Sequence, residues 1–157
     1  MVNQHIEELL YAYLLKGQHK TPKFSEEDQS HIKKICAHYL TAGFVIESSK
    51  LDPDNFNLLH GLKEQRKIAS MRLMSMKNDL ITIAQTFKSQ KIDAIALKGM
   101  ALAIERIYKP GIRASRDIDL LVDKKQIQNA YKALKSIGFN YVDSDVADQA
   151  TVLFKHH

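Results

Sequence analysis

Along the first half of the chain, apolar residues recur at steps of three and four, the repeat of α-helices with one buried face. Over residues 4–16 the stripe is Ile6, Leu9, Leu10, Tyr13 and Leu14, with Gly17 as a C-terminal stop. Thr21-Pro22 interrupts it. Ser25, followed three residues later by Asp28, has the form of a capping box with Asp in place of the usual Glu. Ile32, Ile35, Tyr39, Ala42 and Ile46 form a second helical stripe. Asp52-Pro53 predicts a turn or a helix start, since proline suits the first helical turn. The longest pattern comes next. Leu59, Leu62, Ala69, Leu73, Met76, Leu80, Ile83 and Phe87 predict one helix from about residue 54 to 89, with Gly61 as a point of bending. At this spacing Met71, Met74 and Met76 predict core filling rather than a soft binding surface.

After Gln90 the pattern changes. Residues 92–97 are a short apolar run and predict a strand. Helical spacing returns over 100–108, and Lys109-Pro110-Gly111 predicts a turn. Residues 117–122 predict a second strand. Asp123 is placed to cap a helix carrying Ile127, Ala130, Tyr131, Leu134 and Ile137, which Gly138 closes. Residues 139–142 predict a third strand and 151–154 a fourth. The layout is a helical N-terminal region over residues 1–52, then a long helix and a strand–helix–strand–helix–strand core over 53–157, an α+β or α/β arrangement.

Composition sets outer bounds. The chain has 157 residues, 45% of them hydrophobic and 26% charged, with 6 Gly and 3 Pro, which fits one globular domain and excludes disordered and collagen-like classes. No run approaches the roughly 18 apolar residues of a membrane span. No basic segment leading into an apolar core marks a secretory signal at the N-terminus. The one cysteine, Cys36, has no internal disulfide partner, and a cytoplasmic setting is expected. It falls within an apolar helical pattern and is expected to be a buried, unreactive thiol. The net charge is +5 and uneven. From Lys98 to Arg116 there are five basic residues and a single acid, Glu105. A solvated basic face and a site for phosphates are both consistent with that cluster.

The chemistry-bearing segment is Arg113-Ala114-Ser115-Arg116-Asp117-Ile118-Asp119-Leu120-Leu121-Val122. In a strand, Asp117 and Asp119 point to one side, roughly 7 Å apart along the chain, while Ile118 points into the core and residues 120–122 continue as a buried strand. Adjacent carboxylates repel unless a positive group lies between them. A hard divalent cation held by oxygen ligands and by a nucleotide's phosphates satisfies that requirement. Salt bridges to Arg113 and Arg116 satisfy it too, and D-x-D by itself does not choose between them. The second piece is Leu97-Lys98-Gly99-Met100, where a strand ends, a glycine follows and a helix begins. Such a turn aims free N–H groups at an anion, and glycine admits a phosphate close to the backbone. A plain strand-to-helix turn is the alternative.

Together these stretches resemble the bacterial uncharacterised nucleotidyltransferase family, which belongs to the superfamily with a DNA polymerase beta-like core. The resemblance rests on Leu97-Lys98-Gly99, Tyr108, Arg113-x-Ser115-x-Asp117-Ile118-Asp119-Leu120-Leu121-Val122 and the later Gly138-Phe139, and covers roughly residues 70–157. It implies an α+β fold with a mixed sheet and flanking helices. It also implies transfer of a nucleoside monophosphate from a nucleoside triphosphate to an acceptor hydroxyl on a small molecule, a protein or an RNA end. Asp117 and Asp119 would hold catalytic Mg²⁺, with a two-metal arrangement open. Gly99 would contact the triphosphate, and Arg113 and Ser115 would position phosphate. Lys98 and Arg116 are added to that phosphate set on charge and position alone.

Two departures from the superfamily stand out. Gly99 is followed by Met100 where Gly-Ser or Gly-Gly-Ser is usual. The third carboxylate, normally supplied by a later strand, has only Asp143, Asp145 and Asp148 as candidates, all in an expected loop. Family members are about twice this length, so the chain is expected to be an N-terminal portion or a degenerate copy with weak metal binding. A rival expectation is therefore a catalytically inactive nucleotidyltransferase-fold protein acting through protein–protein contacts, as a homodimer for instance, with the long helix as interface. An exposed apolar stripe on residues 59–87 would favour it. Binding of nucleic acid through the basic second half is a third, disfavoured by the small charge and by the lack of interleaved aromatics. His156-His157 is expected to be a frayed end and Tyr108 a helix-end packing residue.

Overall fold

Ser25 and Asp28 start the first helix of the computed structural model, which describes residues 23–39, 41–48, 53–113, 115–141 and 154–156. The Ser25 Oγ accepts the Asp28 N–H at 3.1 Å, and its hydroxyl donates to Asp28 Oδ2 at 2.7 Å, so the expected cap is present. The helix expected over 4–16 and the candidate acids Asp143, Asp145 and Asp148 lie outside the described residues.

Helix α1 runs Glu26–Tyr39, α2 Ala42–Ser48, and a 3₁₀ turn, Pro53–Asn55, leads into α3, Phe56–Ser89. Strand β1 is Ala94–Ala96, α4 Lys98–Ile104 and β2 Leu120–Val122. A second 3₁₀ turn, Lys124–Gln126, precedes α5, Ile127–Ser136, and then β3, Phe139–Tyr141, and β4, Phe154–His156. The class is α+β, as expected. Among the described residues, however, the strands form two antiparallel pairs, β1 with β2 and β3 with β4, rather than one mixed sheet. Phe154–His156 pairs with β3, so the chain is in register at His156 instead of frayed, while residues 151–153 of the expected fourth strand and His157 lie outside the described residues.

Helix α3 is the spine. Its first turns bury Leu58 and Leu62 against Ile32 and Cys36 of α1 and Ala42 and Val45 of α2. Its middle packs Leu73 and Met76 on Met100 of α4. Its last turns pack Ile83 and Phe87 against Ile92, Ala133 and Leu134. Burying side chains of this size contributes roughly 1.5–3 kcal/mol each. Two polar residues are buried inside the first cluster, and both are satisfied. Gln29 Oε1 accepts the Leu58 N–H at 2.9 Å and its Nε2 donates to the Phe24 carbonyl at 3.0 Å, while Asn55 Oδ1 accepts the Phe24 N–H at 2.9 Å. Gln29 thus supplies from α1 a partner for a first-turn N–H of α3, whose own N-terminal residue Asn55 makes no side-chain cap.

Two expectations are corrected here, at the methionines and at Leu121. The long helix is unbroken at Gly61. A Cβ at that position would lie 2.5 Å from Lys33 Cδ, so the glycine clears space for the α1 lysine stem. Of the three methionines only Met76 is core, while Met71 and Met74 are 62% and 67% exposed, because they project from the side of α3 away from its three clusters. Leu121 is exposed rather than buried. The β1–β2 pair is covered on one side only, so Leu120 and Val122 face the core and Leu121 does not.

Cys36 is buried, and burial pushes its thiol up to about 11, the behaviour of an inert core cysteine. Asp123 caps as expected, its Oδ1 accepting the Lys125 N–H at 2.8 Å. Gly138, at φ +94°, ends α5 in the left-handed conformation that glycine tolerates best. No helix among the described residues is long and apolar enough to cross a membrane.

Candidate nucleotide site

The β1–β2 register brings the two sequence-predicted pieces to one place. Ala96 pairs with Leu120, and the Leu97 N–H donates to the Asp119 carbonyl at 2.9 Å, which carries the ladder one step further. Lys98 therefore leaves β1 beside the end of the strand that carries Asp119. Its Nζ lies 2.9 Å from Asp119 Oδ1. The ammonium is well exposed while the Asp119 side chain is about one-quarter exposed. The hydrogen bond it donates to Asp119, the charge of that carboxylate and that of nearby Asp117 hold the Lys98 ammonium above its ordinary pKa.

Alternation works as the spacing predicts. Ile118 packs into the core between two clusters. Asp117 and Asp119 flank it and turn the other way, Asp117 being the more exposed. Residues 117–119 form an extended approach to β2 without being part of the strand itself.

Lys98, not Gly99, adopts the left-handed backbone, at φ +50°. A non-glycine residue in that region is uncommon, and such conformations concentrate at functional sites. Gly99 serves a different purpose: a Cβ there would stand 2.5 Å from Ser115 Oγ and 3.2 Å from Ser115 Cβ. Ser115 can sit against that backbone only because the position is glycine. The Ser115 hydroxyl donates to the Asp117 carbonyl at 3.2 Å, tying the Gly99 turn to the aspartate segment.

A small cleft opens at the same place. It is lined by Gly99, Ser115 and Arg113 together with Leu73, Ala103, Tyr108 and Lys109. Arg113 makes no ion pair or hydrogen bond among the described residues. Lys109 is held by Glu47 of α2 at 3.3 Å, and Glu47 also pairs with Arg66 of α3 at 2.9 Å. These two cations hold the Glu47 carboxyl below the usual carboxylate range. Tyr108 stacks edge-on against Phe44 of α2, with ring centroids 5.5 Å apart, which is the packing role expected of it.

Of the seven residues singled out from the sequence, Lys98, Gly99, Ser115, Asp117 and Asp119 are joined by direct contacts or chain adjacency, and Arg113 lines the adjoining cleft. Arg116 is turned away. Its Nη2 donates to the His38 carbonyl at 2.9 Å, at the C-terminal end of α1. Lys109 belongs to the basic cluster between Lys98 and Arg116, but its partner Glu47 was not legible as part of this region, because 62 residues separate the two.

The donor set suits a hard cation. Two carboxylates one residue apart supply oxygen only, and Mg²⁺ is commonly held by one or two carboxylates plus a substrate's phosphates. No group of three or more His, Cys, Asp or Glu gathers among the described residues.

The model of the family described as uncharacterised nucleotidyltransferase matches residues 25–157, and the chain belongs to that family. Comparison with curated proteins and with solved structures found no match.

Proposed function

We propose that this chain binds a nucleoside triphosphate with Mg²⁺ and transfers its nucleoside monophosphate to an acceptor hydroxyl on a small molecule, a protein or an RNA. The observation that carries the proposal is the junction of Lys98, Gly99 and Ser115 with Asp117 and Asp119 at one end of the β1–β2 pair. It sets an oxygen-donor pair beside the Lys98 ammonium and the serine hydroxyl that Gly99 admits against the turn.

Asp117 and Asp119 would hold the cation. When bound, that ion neutralises triphosphate charge and aids in-line attack at the α-phosphorus. Gly99 makes room for Ser115 against the turn, and Lys98 and Arg113 offer the phosphate chain positive charge. Ser115, fixed on the Asp117 carbonyl, presents its hydroxyl in the cleft. In the reaction the acceptor hydroxyl oxygen bonds to the α-phosphorus as its proton passes to solvent, the bond from the α-phosphorus to the oxygen bridging to the β-phosphate breaks, and pyrophosphate leaves with that electron pair. The side chains contribute positioning and charge. Arg116, engaged by His38, acts on this site through the segment it anchors.

Calorimetric titration with each of the four nucleoside triphosphates, with and without Mg²⁺, tests the proposal. Asp117→Asn and Asp119→Asn should abolish Mg²⁺-dependent binding while thermal melts stay cooperative. Binding that survives both substitutions sinks the metal role.

One observation favours the rival expectation of a protein acting through contacts with a second copy. Met71, Met74 and Ile81 of α3 are each more than half exposed and recur at helical spacing. Light scattering on the wild type and Met74→Glu decides it: a dimer that the substitution dissolves supports that reading, and a monomer in both discards it.

A further inference from the structure

We infer that Lys98 makes this site take a divalent cation together with a nucleoside triphosphate in preference to the free cation, by occupying Asp119 until phosphate draws it away. The inference rests on the metal role proposed for Asp117 and Asp119.

Three observations point to it. Lys98 Nζ sits 2.9 Å from Asp119 Oδ1, on the carboxylate a cation would use. The same residue is held at φ +50° at the start of α4, one residue beyond the Leu97 N–H that makes the last bond to the Asp119 carbonyl. Its partner Asp119 is largely covered while the ammonium end is open to solvent, so the lysine can leave without carrying the carboxylate with it.

The physical consequence follows from the size of the contact. An exposed lysine–carboxylate pair is weak, and the four-carbon stem reorients freely. A free cation must displace the ammonium and then sit near it, with two positive groups competing for one carboxylate. A cation arriving with a triphosphate brings several anionic oxygens. The ammonium exchanges its one carboxylate oxygen for phosphate oxygens beside Gly99, and Asp119 is released to the cation. Lysine is therefore a placeholder in the absence of nucleotide and a phosphate ligand in its presence.

Removing the ammonium should move two affinities in opposite directions, an outcome that general damage to the fold does not produce. Mn²⁺ serves as the probe, read by electron paramagnetic resonance on the full chain, alone and with a non-hydrolysable nucleoside triphosphate analogue. Lys98→Met should bind free Mn²⁺ roughly two- to fivefold more tightly, matching the removed ion pair. It should bind the Mn²⁺–analogue complex about tenfold more weakly, for the lost charged phosphate contact. Lys98→Gly, which suits the left-handed backbone, should show the same reversal and guards against misfolding of the Met variant. If both variants leave free Mn²⁺ affinity unchanged or weaker while Asp119→Asn abolishes it, the placeholder role is wrong and the metal reading stands. If Asp119→Asn also leaves Mn²⁺ binding unchanged, both are wrong.

Discussion

The guanidinium of Arg116 donates to the main-chain carbonyl of His38 at 2.9 Å, joining residues 78 apart in the chain. His38 lies in the last turn of α1, where carbonyls lack helical partners and the helix end is negative. Arg116 immediately precedes Asp117. The contact thus ties the helical N-terminal part of the fold directly to the approach of the aspartate strand. Arg116→Ala should lower stability by roughly 0.5–1.5 kcal/mol in urea denaturation, the worth of one such bond. It should weaken Mg²⁺-dependent nucleotide binding far less than Asp119→Asn does. A loss of binding as complete as that of Asp119→Asn would instead place Arg116 on the phosphates.

Gln29 links α1 to the start of α3 by accepting the Leu58 N–H, and it is almost fully buried. Gln29→Leu keeps an apolar body of similar size but strands that N–H and the Phe24 carbonyl. A cost of about 1–3 kcal/mol is expected for unsatisfied buried groups, measured by chemical denaturation. A variant as stable as wild type would show that water replaces the amide.

At Gly99 the prediction concerns function more than stability. An added methyl group displaces Ser115 from its bond to the Asp117 carbonyl. Gly99→Ala should therefore weaken nucleotide binding by about tenfold, near 1.4 kcal/mol, while the melting transition stays cooperative. Equal affinities would mean that the bond from Ser115 to the Asp117 carbonyl does not shape the nucleotide site.

Acid should loosen the packing of α2. Glu47 has its carboxyl held low by Arg66 and Lys109, so the folded state favours the charged form. The stabilisation is present above the unfolded carboxylate value of about 4.3 and is lost as pH falls through the lower folded value. Melting temperatures of the wild type and Glu47→Gln should differ at pH 7 and converge as pH falls through the lowered folded value. A constant gap across that range would remove the ion pairs as its cause.

Periodicity read locally was sufficient for much of the fold. Ser25 and Asp28 start α1, Asp123 caps the turn before α5, and Gly138 ends α5 because the responsible contacts span only a few residues. The long stripe ending at Phe87 found α3 for the same reason. It did not tell Met76 from Met71 and Met74, since a helix of this length meets other elements along only one side and the sequence does not say which residues they cover.

The site divides along the same line. Asp117-Ile118-Asp119 and Lys98-Gly99 are legible as a carboxylate pair and a bare turn, because alternation along an extended segment and the absence of a Cβ are properties of the chain itself. That the second lies against the first was decided by the antiparallel register of β1 and β2, which seats Leu97 on Asp119 and brings the Lys98 ammonium to its carboxylate. The same is true of Arg116, whose charge made it a phosphate candidate until folding brought the end of α1 within its reach. The sequence determined which chemical groups are available and which way each faces from its own segment. Only the tertiary structure decided which of them are spent on one another, because that depends on contacts between segments far apart in the chain.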